Sequence, residues 1–291
     1  MISQVAIYPP VWTEIVKDLW GGSVSLVLRG KPINYRLNLA SMDECPAVSE
    51  LDSLANRYFV EEVLYPRPAF TGRVESSCLF LRAITRKDYA ILVPSGVDGT
   101  GDAVDLAPGQ AYYLASADCW AYVARNRRTG EVIAVHTGRN NLVDRKLVDE
   151  GVRSRTHESI VDATMASFAW YAHLAQLPFN SADIDVHITC GIAAEHFSHT
   201  DPAYSAFNAK LVEYLSNRFG IGVFVDDPLE GKIDMPELIR RQFASHGVKS
   251  DHVTQDTIDT YGDTDMFGRH LWWSNRRGET GRNLVFVVRR W

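Results

Sequence analysis

The stretch from Tyr112 to Asn141 constrains the fold most: two apolar runs around a short polar turn, with a cysteine in the first and a histidine closing the second. Ala111 to Ala124 reads as one buried strand running through Cys119. Arg125 to Glu131 holds Asn126, Thr129 and Gly130, which suit a tight turn. Val132 to Val135 forms the returning strand and delivers His136 at its end. Antiparallel partners face each other closely, so thiol and imidazole are expected side by side, pointing into one cleft. A thiolate nucleophile or a zinc site needs that pairing.

A chain of 291 residues that is 46% apolar has enough material for one large α/β core. Its net charge of -6, with no long Lys/Arg cluster, argues against a nucleic-acid surface. No apolar run reaches the roughly 18 residues of a membrane helix, and the first residues lack the pattern of a signal peptide. Cys45, Cys78, Cys119 and Cys190 form no CxxC pair and read as reduced thiols of a cytoplasmic protein. The nine histidines form neither HExxH nor His-x-His, against metalloprotease or multicopper chemistry.

Elsewhere, Ser23 to Leu28 alternates as a strand, with Asn34 to Leu39 as its candidate partner. Pro46 to Val63 has helical spacing behind a proline suited to a first turn. Residues 64–75 read as loop, Ser77 to Ala83 and Tyr89 to Val93 as strands, and Pro94 to Gly109 as a glycine-rich connection. That connection resembles a phosphate loop superficially, but no GK[ST] follows. Residues 139–155 are polar and read as a surface insertion or lid. Helices are predicted at Thr156 to Leu177, capped by Ser154 or Thr156, at Ala203 to Phe219 and at Met235 to His246. Ile184 to Ile192, Gly222 to Val225 and Leu284 to Val288 read as strands. This order of elements points to one α/β sandwich (α+β) domain over 1–291, not a regular βαβ winding.

A free cysteine is most often a small buried hydrophobe, and a strand-end histidine often just satisfies a carbonyl; Cys119 and His136 flanking one hairpin are more specific than either alone. Arg139, Arg276, Arg277 and Arg282 are candidate substrate- or phosphate-binding residues, because a guanidinium fork binds such anions at two points. His196 and His199 have i,i+3 spacing and would share a helix face, although a solvated surface explains them equally.

The segment LASADCWAYVARNRRTGEVIAVHTGRNN resembles the laccase-domain, or multicopper polyphenol oxidase-like, family, in which a TADC strand precedes an AHAGWRG strand end at the same spacing. Asp102-Ala103-Val104, Pro108-Gly109, Gly231 to Val248 and the tail from Trp273-Ser274 through Arg276-Arg277 to Thr280-Gly281-Arg282 are similar to further family motifs. The resemblance implies a four-layer α-β-β-α sandwich with mixed and antiparallel sheets, related to the catalytic domain of cytotoxic necrotizing factors. It also implies purine nucleoside phosphorylase-like activity on adenosine or inosine with phosphate, at a zinc held by one cysteine and two histidines. Cys119 and His136 fall on two of those ligand positions. The third does not carry over: the family's QVHG motif falls at Leu81 to Arg86, and no histidine precedes His136. A substitute would have to come from His187, His196, His199 or His270. Zinc is therefore expected to bind weakly or not at all, and copper is not expected. The alternatives are a metal-free Cys-His thiol enzyme, such as a glutamine deamidase, and a non-catalytic descendant that binds a ligand or partner. The expected partners are a small nucleoside and phosphate rather than nucleic acid or membrane, with the oligomeric state left open.

Overall fold

A computed structural model describes residues 13–66, 68, 74–75, 80–95, 101–200 and 205–291. Strands and helices are numbered in chain order. One seven-stranded sheet contains β1 (Glu14–Leu19), β2 (Val24–Arg29), β3 (Glu62–Leu64), β5 (Phe80–Thr85), β6 (Ala90–Pro94), β8 (Gln110–Ser116) and β13 (Asn283–Arg289). A six-stranded sheet contains β4 (Val74–Glu75), β7 (Ala103–Leu106), β9 (Trp120–Asn126), β10 (Val132–Thr137), β11 (Ile184–Thr189) and β12 (Val253–Gln255). The strand orders are β1-β2-β13-β8-β3-β6-β5 and β12-β11-β9-β10-β7-β4, with parallel and antiparallel pairs in both sheets. The helices are α1 (Pro46–Tyr58), α2 (Arg139–Leu142), α3 (Arg145–Glu150), α4 (Ile160–Leu174), α5 (Ser205–Phe219) and α6 (Met235–Ser245).

Three apolar clusters define four layers, as the α-β-β-α expectation requires. Leu51 and Leu54 of α1 pack with Val27, Tyr113 and Phe286 on the outer face of the first sheet. Leu26, Leu28, Tyr112 and Val285 meet Val104, Ala121, Val123 and Ala134 between the sheets. Tyr122, Ile133 and Ile188 pack under Phe168 of α4, Leu211 of α5 and Phe243 of α6. Each fully buried Leu, Ile or Phe contributes about 1.5–3 kcal/mol. Tyr122 adds direction to the packing. Its ring meets Phe243 edge-on at 5.3 Å and its hydroxyl lies 2.8 Å from Thr164 Oγ1 on α4.

The apolar run from 111 to 124 is not one strand. β8 lies in the first sheet and β9 in the second, so the chain crosses between sheets through Ala117, Asp118 and Cys119. Asp118 makes the corner with a left-handed backbone, φ 73°, a conformation aspartate tolerates better than most residues. Cys119 therefore occupies the crossover and precedes the β9–β10 hairpin.

Other expectations need similar correction. The helix from Pro46 stops at Tyr58, because Phe59 turns left-handed at φ 55°, and the remainder forms β3. Asn34 to Leu39 forms no strand; β2 pairs with β1 and β13 instead. The long helix begins at Ile160, because Ser159 and Asp162 form the reciprocal capping box. Residues 221–223 make a 3-10 turn where a strand was expected. Of the expected surface insertion, the first part carries α2 and buries Asn141, Leu142, Val143 and Asp144, whereas 145–155, with α3, lie at the surface. Part of the predicted strand at Ser77 to Ala83, the start of the predicted helix at Ala203, and Cys78 lie outside the described residues.

Candidate active site

Strand alternation decides which side chains meet. On β9, Trp120, Tyr122 and Ala124 face the helices, while Ala121 and Val123 face the other sheet. Cys119, just before β9, continues the second set. On β10, Ile133 and Val135 face the helices and Val132 and Ala134 the other sheet, so His136 continues the second set. On β7, Val104 and Leu106 face the other sheet, and Asp102 just before it has the same parity. Three polar residues thus converge at one end of the layer between the sheets.

Asp102 is fully buried and His136 is 3% exposed. The His136 Nδ1 lies 3.3 Å from Asp102 Oδ1, and the His136 backbone N–H donates to the Asp102 carbonyl at 2.7 Å. The Cys119 side chain is close enough to the same imidazole to favour its charged form. Burial pulls the His136 pKa down, but the hydrogen bond to Asp102 and the contact with Cys119, reinforced by their charges, outweigh it and raise the value to about 9. His136 therefore carries a proton on each nitrogen at neutral pH. Asn141 pins the strand end: its Nδ2 donates to the His136 carbonyl and its Oδ1 accepts from the Gly138 N–H, both at 2.8 Å.

Cys119 is half-buried and lines a cavity of about 390 Å³, and His136 stands behind it. Trp120, Ile192 and Met235 supply apolar lining; Thr137, Arg139, His199 and Arg276 supply polar lining. The indole Nε1 of Trp120 donates to the Ile192 carbonyl at 2.9 Å, and the ring fills the space above Gly191, where a Cβ would come within 2.4 Å of it. The loop after β11 is thereby held across the cavity. Asp118 ties down the opposite side. Its Oδ1 accepts from the Thr260 hydroxyl at 2.9 Å and its Oδ2 from the Arg276 backbone N–H at 2.8 Å.

The four candidate arginines separate into two pairs. Arg139 and Arg276 line the cavity. Arg139 donates to the His199 carbonyl, and the Arg276 guanidinium stacks on Phe197 at 5.4 Å. Arg277 is instead spent on the carbonyls of Thr260, Tyr261 and Trp272 and on Glu279, and Arg282 on the carbonyls of Thr280 and Gly281. These two hold the tail loop together and do not line the cavity. His196 and His199 do not share a helix face, because the chain makes only a 3-10 turn at Ala194–His196. His196 lies 3.2 Å from Asp259 and stacks on Tyr261 at 4.6 Å, whereas His199 is buried in the cavity wall. Burial, and next the charge of Arg139, push the His199 pKa down to about 3, so its ring is neutral.

Sequence reasoning passed over Asp102 and Asp118 as site residues. Asp102 left one signal: it continues the two-residue period of Val104 and Leu106, so a carboxylate sits where the pattern calls for an apolar group. The role of Asp118 depends on Thr260 and Arg276, more than 140 residues away, and no local pattern carries it.

The family model described as multi-copper polyphenol oxidoreductase laccase matches residues 78–290. The chain belongs to that family. Among solved structures it is similar to the hypothetical protein YfiH of Bacillus licheniformis, with 15% identity, 95% of this chain and 96% of that one covered, and a TM-score of 0.63. It is similar to YlmD of Geobacillus stearothermophilus, with 18% identity, 97% and 100% coverage, and a TM-score of 0.63. The Neisseria meningitidis protein NMB0706 gives 18% identity, 96% and 99% coverage, and a TM-score of 0.54. These likenesses show the laccase-like fold. No curated protein matches the sequence significantly.

The zinc that the laccase-like resemblance implies does not fit the donor set. Cys119 and His136 supply two ligands, and of the substitute histidines only His199 lines the cavity. His187 is engaged with Thr254 and Asp256, and His196 with Asp259. Among the described residues no three His, Cys, Asp or Glu side chains gather as a metal site requires. No described helix is long and apolar enough to cross a membrane.

Proposed function

We propose that this laccase-like protein is a metal-free thiol enzyme that hydrolyses an amide, with Cys119 as nucleophile, His136 as general acid and base, and Asp102 as its orienting carboxylate. The observation that carries this reading is the chain Asp102–His136–Cys119, buried at its first two members and open to a cavity at the third. A nucleophile beside a base that a third group orients is the general arrangement for covalent acyl transfer. An imidazolium next to a thiol is also how thiol enzymes generate their thiolate.

The steps balance without a metal. The thiolate sulfur attacks the amide carbon, and the resulting oxyanion collapses as the C–N bond breaks. His136 gives its proton to the departing amine, leaving a thioester on Cys119. Neutral His136 then takes a proton from water, whose oxygen attacks the thioester. The acid leaves and the thiolate–imidazolium pair is restored. Asp102 holds the ring so that the same nitrogen serves both steps.

A second reading, phosphorolysis of a purine nucleoside, draws on Arg139 and Arg276 as an anion site in the same cavity. One experiment separates the two. The protein is incubated with free and protein-bound glutamine, with a panel of small amides, and with inosine plus phosphate. Ammonia or amine release that disappears in Cys119→Ser supports the thiol reading, because an alcohol is a far poorer nucleophile at neutral pH. Hypoxanthine and ribose 1-phosphate without amide hydrolysis would overturn it.

A further inference from the structure

We infer that the acyl substrate carries an anionic group, and that Arg276 is the residue that selects it. The inference rests on the thiol reading of the same cavity. Arg276 differs from the other tail arginines in how its charge is used. Arg277 and Arg282 are consumed by main-chain carbonyls, whereas the Arg276 guanidinium has no carboxylate or carbonyl partner among the described residues. Its guanidinium carbon lies over the Phe197 ring, 5.4 Å from the centroid, a cation–π contact that uses none of its N–H donors.

Its position relative to the nucleophile is set by one residue. The Arg276 backbone N–H donates to Asp118 Oδ2, and Asp118 immediately precedes Cys119. The other Asp118 oxygen is occupied by Thr260, so this carboxylate is already satisfied by the protein. Among the described residues no other acidic side chain lines the cavity. Two guanidinium groups therefore face a lining whose one described carboxylate is spent, and the neighbouring His199 is uncharged. A cavity of about 390 Å³ admits a small molecule or one side chain with its flanking group. The chemistry that completes this lining is a carboxylate or similar planar anion close to the scissile carbonyl, held at two points by the Arg276 fork.

A matched pair of reagents tests this without a known substrate. Iodoacetate and iodoacetamide both alkylate a thiolate with loss of iodide and are nearly the same size, but only the first is an anion. Rates at Cys119 are followed by mass spectrometry, with Cys119→Ser identifying the signal and a short cysteine peptide as reference. The iodoacetate-to-iodoacetamide rate ratio is expected to exceed the peptide's by about five-fold or more, given one cation near the reacting carbon. Arg276→Ala is expected to return the ratio to the peptide's value; this side chain is exposed, so the fold does not depend on it. Arg282→Ala should keep the wild-type ratio. A wild-type ratio equal to the peptide's, a high ratio that survives Arg276→Ala, or an equal fall in Arg282→Ala would overturn the inference and leave the thiol reading standing. Failure of both reagents to label Cys119 faster than the peptide would overturn the thiol reading, and the inference with it.

Discussion

Two buried histidine–aspartate pairs occupy the same face of the six-stranded sheet, and they differ in what lies beyond the ring. At the end of β10, His136 is bonded to Asp102 on one side and adjoins Cys119 at the cavity wall. On β11, His187 Nε2 lies 3.2 Å from Asp256 Oδ1, an ion-pair distance without hydrogen-bond alignment, while its Nδ1 lies 2.8 Å from Thr254 Oγ1. Asp256 is further held by Thr189 Oγ1 at 2.6 Å and by Lys17 of the other sheet. The second network closes on itself and ties the sheets together. The first ends in a reactive atom at a cavity. A histidine–aspartate pair therefore marks neither catalysis nor structure by itself; the outer neighbour of the ring decides.

The largest separation between the two pairs is expected in reactivity. His136→Ala should slow iodoacetamide alkylation of Cys119 by on the order of 100-fold, because the thiol loses its charged partner. His187→Ala should leave that rate within about three-fold of wild type, since its network touches no cavity residue. Equal slowing in both variants would erase the distinction.

Stability is expected to follow the opposite order. His187→Ala leaves the buried Asp256 carboxylate with one partner fewer beside the partly exposed Lys17, at a cost of about 1–3 kcal/mol in urea unfolding. A cost below about 0.5 kcal/mol would show that the network does not join the sheets.

A related effect lies at acid pH. Burial alone would raise the Asp256 pKa, but the close contact with His187 and the hydrogen bonds from Lys17 and Thr189 outweigh it and hold the value at about 2. A depressed carboxylate stabilises the fold above its unfolded pKa of about 3.9 and loses that contribution as pH falls through its folded value. The loss is on the order of 2 kcal/mol between about pH 5 and pH 2. Unfolding free energies measured across that window should decline less steeply in Asp256→Asn; an identical slope would assign the acid loss to other groups.

The residues alone made an α/β sandwich legible, through apolar strand runs and the helical spacing of α4; the four layers were legible only through the resemblance to the laccase-domain family. The convergence of Cys119 and His136 was legible from the hairpin, although the strand that was to carry Cys119 is broken at Asp118. The polar punctuation at the sheet-to-sheet crossover is only Ser116 and Asp118, too little to part β8 from β9, so the two read as one element. The sorting of the arginines was illegible, since Arg276 and Arg277 are adjacent in sequence and only the carbonyls of Thr260, Tyr261 and Trp272 distinguish them. β1 escaped notice because it is an edge strand with no fully buried residue.

The central claim is that His136 is held as an imidazolium between Asp102 and Cys119, and a titration of its ring signals by nuclear magnetic resonance tests it most directly. A histidine whose folded pKa is raised contributes stability fully below about 6.5 and loses it as pH rises through the folded value. His136 is expected to keep its proton through neutral pH and titrate at about 9. The midpoint should fall in Asp102→Asn and also in Cys119→Ala, because each variant removes one of the two interactions that raise it. A wild-type midpoint at or below about 6.5, or one that neither substitution moves, would contradict the account.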